Sequence, residues 1–176
     1  MGNVGTRVGK EIQKNNILML SVSSKDYRSA TSDLIDFSKN FKKTCYVTLN
    51  DSSDSIISKL GKDSKRVCFI DCVTSTVKKP ADREGVIYVS SPRALTEISI
   101  ALKKAIDGFK MDFVIFDSIS ALLVYEKSLS AMKFVHNMVL MLRQGNISTV
   151  FIILKEDVSE ELMKDLSMFV DKVVEV

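Results

Sequence analysis

Glycine is missing at the place where a phosphate-binding α/β protein needs it most. The apolar run Ile17-Leu18-Met19-Leu20 stops at the polar stretch "SVSSKDYRSAT", residues 21–31, which contains no glycine. Histidine is nearly missing too: His136 is the only one, far in sequence from Cys45, Cys68 and Cys72. A zinc centre takes about four closely spaced ligands, so this set argues against a metal site. The three cysteines lie in or beside apolar, β-branched runs and read as buried thiols in strands. Long apolar runs are also lacking, residues 150–154 being typical of the longest. A spanning helix takes roughly 18 apolar residues, and no signal-peptide pattern opens the chain. The expectation is a cytoplasmic protein. Basic runs are absent as well: 25 Lys and Arg are mixed with 22 Asp and Glu, for a net charge of +3. Nucleic acid is therefore the least supported class of partner.

What is present suits one domain. The chain has 176 residues and is 45% hydrophobic, enough for one packed core. Residues 1–16 are polar with three glycines and read as a flexible arm. Their start, "MGNVGT", fits an N-myristoylation pattern through Gly2 and Thr6. A single acyl chain needs a second membrane signal, and Lys10 and Lys14 are a thin one, so no lipid anchor is expected.

From residue 17 onward, apolar runs alternate with helical spacing. Residues 17–22, 44–49 ("TCYVTL"), 67–70, 86–89, 112–116, 148–154 and 169–176 read as strands. Residues 26–41 show Leu34, Phe37, Ser38 and Phe41 at helical spacing. Residues 53–60 form a short helix ended by Gly61. Residues 73–85 read as a polar loop, the best candidate for a mobile segment. A longer helix follows, capped by Ser90 or Ser91, with Pro92 in its first turn and Gly108 at its close. Another covers residues 127–144, with Met132, Val135, Val139 and Leu142 inward, and a last one follows Ser159. The alternation predicts an α/β fold: a mostly parallel sheet with helices on both faces, residues 17–176 forming one domain.

Ligands in such folds sit beyond the carboxyl ends of the strands. The rule picks out four such ends: residues 21–25, with Ser23, Ser24 and Lys25; Asn50 and Asp51; Asp71; and Asp117 and Ser118. The last is the strongest. In "DFVIFDSISALL" an apolar strand delivers an acid to its tip, the shape of a Walker B element that orients magnesium. The structural reading is that Asp117 holds the turn "DSIS". Asp71, His136 and the methionines Met132, Met138 and Met141 read most simply as structural.

The stretches "SPRALTEISIALKKAI", "DFVIFDSISALL", "FVHNMVLMLRQGNISTVFII", "CYVTLND", "CFIDCVTS" and "FVDKVVEV" together resemble the RecA/RadA/KaiC group of ATPases, nearest to small KaiC-like proteins of archaea. The likeness covers nearly all of the domain. It implies a RecA-like sheet with ATP and magnesium between the first strand's loop and Asp117. It also implies a glutamate at the end of the second strand that activates water. The departures matter. The phosphate loop needs G-x-x-x-x-G-K-[ST], whose glycines let backbone amides wrap the phosphates. Here neither glycine is present, and Asp26 follows Lys25. Lys25, Arg28 and Thr31 are the partial substitutes. Asn50 holds the glutamate position, and losing a general base typically lowers rate by about 10²–10⁴; Asp51 is shorter and one place along.

These readings lead to a degenerate, non-catalytic RecA/KaiC-like domain, a pseudo-ATPase. It would act as a regulatory or scaffolding module that binds another protein or its own copies. No cofactor is expected on that reading. The alternative is an ATP-binding protein or slow ATPase with an unorthodox phosphate loop, using Lys25, Arg28, Thr31 and Asp117, the last as the magnesium ligand.

Overall fold

The computed structural model describes residues 3–176 of the chain. In chain order the elements are α1 (Asn3–Ile12), β1 (Ile17–Val22), α2 (Tyr27–Ser38), β2 (Thr44–Thr48), α3 (Ser53–Leu60), β3 (Val67–Asp71), α4 (Thr74–Val77), β4 (Val86–Tyr88), α5 (Leu95–Phe109), β5 (Phe113–Asp117), α6 (Ile119–Tyr125), α7 (Ser128–Gln144), β6 (Ser148–Leu154), α8 (Glu160–Ser167) and β7 (Lys172–Glu175). The seven strands form one sheet in the order β4-β3-β2-β5-β6-β1-β7, and every adjacent pair is parallel. The α/β expectation holds. Each parallel pair needs a crossover, and the helices supply them on both faces.

The apolar runs of residues 113–116 and 148–154 fall in interior strands of the sheet. Strands β1, β2, β3 and β5 are buried along their whole length. One face of the sheet packs Val8 of α1, Leu34 and Phe37 of α2 and Ile56 of α3 against Leu18, Leu20, Tyr46, Phe69, Phe113 and Ile115. The other face packs Ile98 and Leu102 of α5, Leu122 of α6, Val135, Val139 and Leu142 of α7 and Leu166 of α8 against Met19, Val47, Ile70, Phe116 and Phe151. Phe41 stacks on Phe113 with ring centroids 4.2 Å apart, and Phe37 meets Phe113 edge-on. Full burial of such a side chain contributes about 1.5–3 kcal/mol. Cys45 and Cys68 face each other across the β2–β3 pair, and these two and Cys72 are free, buried thiols.

Two expectations are corrected. Residues 3–12, expected as part of a flexible arm, form α1 instead. Val4, Gly5 and Val8 of that helix are buried, and the Val4 amide donates to Asp33 Oδ2 at 3.2 Å. Glycine and polar residues masked a short apolar stripe. Gly2, the glycine of the N-myristoylation pattern, lies outside the described residues. The second correction concerns α5, which begins at Leu95 rather than beside Ser90 or Ser91. Ser90 donates its amide and hydroxyl to Glu97 (2.9 Å each), so the loop is tied to the helix rather than capping it. Gly108 lies inside α5, and Lys110, in the left-handed conformation, ends it. Residues 73–85 contain the single turn α4 within the expected loop. Among the described residues no helix is long and apolar enough to cross a membrane.

Candidate functional site

The carboxyl ends of β1, β2 and β5 open on one side of the sheet, with β6 between β1 and β5. β5 delivers Asp117 as its last residue, after four buried apolar residues. Asp117 is itself only 3% exposed. A carboxylate held there must find its hydrogen bonds within the protein. It does. Tyr27 Oη donates to Oδ1 at 2.6 Å, and Tyr46 Oη donates to Oδ2 at 2.5 Å. Asn50 Nδ2 lies 3.3 Å from Oδ1, 3.1 Å from Ser118 Oγ and 3.0 Å from Tyr27 Oη. Ser118 Oγ also accepts the Ala121 amide at 3.1 Å and caps α6.

The elements explain this convergence. Tyr27 is the first residue of α2, Tyr46 lies mid-strand in β2, and Asn50 sits just past the end of β2. Burial raises the pKa of Asp117, while the hydrogen bonds from Tyr27, Tyr46 and Asn50 oppose it; burial prevails. Burial and the adjacent Asp117 charge push both phenols well above their usual range. Both tyrosines therefore keep their protons at neutral pH and remain donors.

The connection from β1 to α2 is only four residues, 23–26. It closes on itself: Ser23 Oγ donates to Asp26 Oδ2 at 2.5 Å, and the Asp26 amide donates to the Ser23 carbonyl at 3.0 Å. Ser24 donates both its amide (3.0 Å) and its hydroxyl (2.9 Å) to Glu156 Oε2, from the turn after β6. Hydrogen bonds from its own backbone amide and from Ser24 hold the Glu156 carboxyl below its usual range. A carboxylate of the chain thus already occupies both donors of Ser24.

The residues singled out for nucleotide binding fall into three groups. Asp117, Ser118 and Asn50 meet directly. Arg28, Thr31 and Asp51 line a cleft of about 790 Å³ that is also bounded by Tyr27, Tyr46, Asn50 and Asp117. Ser23, Ser24 and Lys25 do not line it. Thr31 Oγ1 donates to the Tyr27 carbonyl at 2.9 Å, and Asp51 Oδ2 is 3.7 Å from Lys59 Nζ. Lys25 is exposed. Asp71 has the turn-forming role expected of it. Its carboxylate accepts from Ser53 (amide and Oγ, both 2.7 Å), the Val73 amide (2.9 Å) and Thr74 (amide 2.8 Å, Oγ1 2.7 Å). Burial opposes its charge, and the bonds from Thr74 and Ser53 overcome that, so its pKa is lowered. His136 is exposed and stacks on Phe169 with centroids 4.8 Å apart.

Sequence reading missed Tyr27, Tyr46 and Glu156. Tyr46 passes for an ordinary strand aromatic and Glu156 for a surface acid. Tyr27 stands directly after Asp26, which breaks the phosphate-loop pattern, and that adjacency is the only signal the sequence carries.

Comparison with known proteins agrees with this architecture. The crystal structure of a KaiC-like protein from the hyperthermophilic archaeon Pyrococcus horikoshii matches with a TM-score of 0.66, covering 91% of this chain and 70% of that one, at 7% identity. At that identity the likeness concerns the fold, which is of the KaiC/RecA kind. No curated protein matches the sequence. A family of unknown function, DUF7504, matches residues 15–176, and the chain belongs to that family.

Proposed function

We propose that this RecA/KaiC-like domain has closed its own nucleotide site and works by binding protein, as a regulatory or scaffolding module. The observation that carries the reading is the cluster at Asp117. Magnesium takes oxygen ligands at about 2.0–2.1 Å in a near-octahedral shell. At Asp117 both oxygens already accept short bonds, one from the half-buried Tyr27 phenol and one from the buried Tyr46 phenol. A metal there would have to displace one of these donors, and displacing Tyr46 would leave a buried hydroxyl unpaired, at a cost of about 1–3 kcal/mol. The triphosphate is served no better. A phosphate loop spans roughly eight positions of flexible, glycine-rich backbone. This loop has four residues, and Ser24 is bonded to Glu156. The residues present do not fit ATP and magnesium.

One observation favours the second reading, an ATP-binding protein or slow ATPase. Arg28 and Thr31 line the same cleft as Asp117. Calorimetric titration of the protein with ATP and magnesium chloride separates the two. The closed-site reading expects no saturable heat. Saturable, magnesium-dependent binding that Arg28→Ala weakens would establish the second reading and sink the first.

A further inference from the structure

At the opposite end of the sheet from Asp117, the amino ends of β2, β3 and β4 surround a cavity of about 670 Å³. Such a volume is in the range of a ligand or side-chain pocket. Its lining has two characters. Ile57 and Phe109 give it apolar wall, and Phe109 is 38% exposed although it is a large aromatic. Around them stand Lys42 and Lys43, which lead into β2, and Lys65 and Arg66, which lead into β3. Like charges gathered at one mouth repel each other unless an anion joins them.

The neighbouring carboxylates do not neutralise this group. Asp112 accepts the backbone amides of Lys42 (3.0 Å) and Lys43 (2.9 Å), not their ammonium groups. Asp54 is engaged with Arg83, and Asp63 with Lys39. Glu84 is the one acid that lines the cavity. Arg66 donates to the Phe41 carbonyl. Among the described residues, Lys42, Lys43 and Lys65 form no ion pair.

We infer that this cavity is the docking site for an acidic segment of a partner protein that inserts one apolar side chain. The inference rests on the protein-binding reading above and supplies its surface. Charge complementarity identifies the occupant: carboxylates for the lysines at the mouth, an aromatic or aliphatic anchor for the apolar wall. A polynucleotide is the poorer match. Single strands want a basic track with successive aromatic platforms, whereas here the cations close on one mouth beside one half-exposed ring.

The test is fluorescence anisotropy of the full chain with a labelled glutamate-rich peptide carrying a central phenylalanine. Saturable binding is expected, weakened about tenfold or more by Lys42→Glu combined with Lys65→Glu, and similarly when alanine replaces the peptide's phenylalanine. Raising salt on the unaltered protein should weaken it too, an arm that needs no variant to fold. Three outcomes overturn the inference: no saturable binding, tighter binding of a labelled oligouridine than of the peptide, or self-association in sedimentation that the same charge reversal abolishes. The ATP titration reports on the other end of the sheet. Failure here therefore leaves the closed-site reading standing, and ATP binding there leaves this pocket untouched.

Discussion

Asp117 and Asp71 are both buried acids at strand tips, yet their surroundings push them in opposite directions. Asp71 accepts five hydrogen bonds, and its charged form wins. Asp117 has two phenols and one amide, and burial wins. An acid whose folded pKa is raised holds its proton to higher pH than in the unfolded chain. Its contribution to stability is full below the unfolded value, about pH 4, and is lost as pH rises through the folded value. Asparagine at 117 does not titrate. The stability of the wild type relative to Asp117→Asn should therefore fall as pH rises from about 4, measured by guanidinium unfolding across a pH series. A difference that stays flat with pH would refute the raised carboxyl. At this scale the sequence revealed half of the site. An apolar run ending in an acid marks Asp117 from neighbours in the chain. Its partner Tyr27 is 90 residues away, and no local pattern links the two.

Among the elements, α1 was the hardest to foresee. Helix propensity is poor where glycine recurs, and residues 3–12 contain Gly5 and Gly9. The packing shows what Gly9 contributes: a Cβ there would lie 3.0 Å from Phe37 Cε2. The missing side chain lets α1 settle on α2. Val8, fully buried in that contact, carries the consequence. Val8→Asp buries an unpaired charge unless α1 detaches, so a loss of about 3 kcal/mol is expected in chemical unfolding. No change in the unfolding midpoint would mean that α1 does not dock. The central strands were legible because burial on both faces forces unbroken apolar runs. Ser159, too, caps its helix as its position implied, accepting the Leu162 amide at 3.2 Å. The start of α5 was not legible, because Glu97 reaches back to Ser90 where a cap was expected.

Across the whole molecule, stability follows position in the sheet. β2, β5 and β6 hold the middle of the sheet, whereas β4 is a three-residue edge strand of half-buried residues and β7 closes the other edge. Native-state hydrogen exchange should show the strongest protection in β2, β5 and β6 and the weakest in β4 and β7. Equal protection in β4 and β5 would contradict a core centred on β5. The pairing of β1 has a further consequence. Ile17 lies beside Thr149, and Leu18 beside Lys172, so β1 touches no strand made soon after it. A ribosome adds about 5–20 residues per second. For most of its synthesis, therefore, the nascent chain carries an apolar segment, Ile17–Val22, with both hydrogen-bonding edges vacant. Chaperones that shield such segments during translation would find their binding site in this chain at its first strand, and would have to release it only when residues 148–175 emerge.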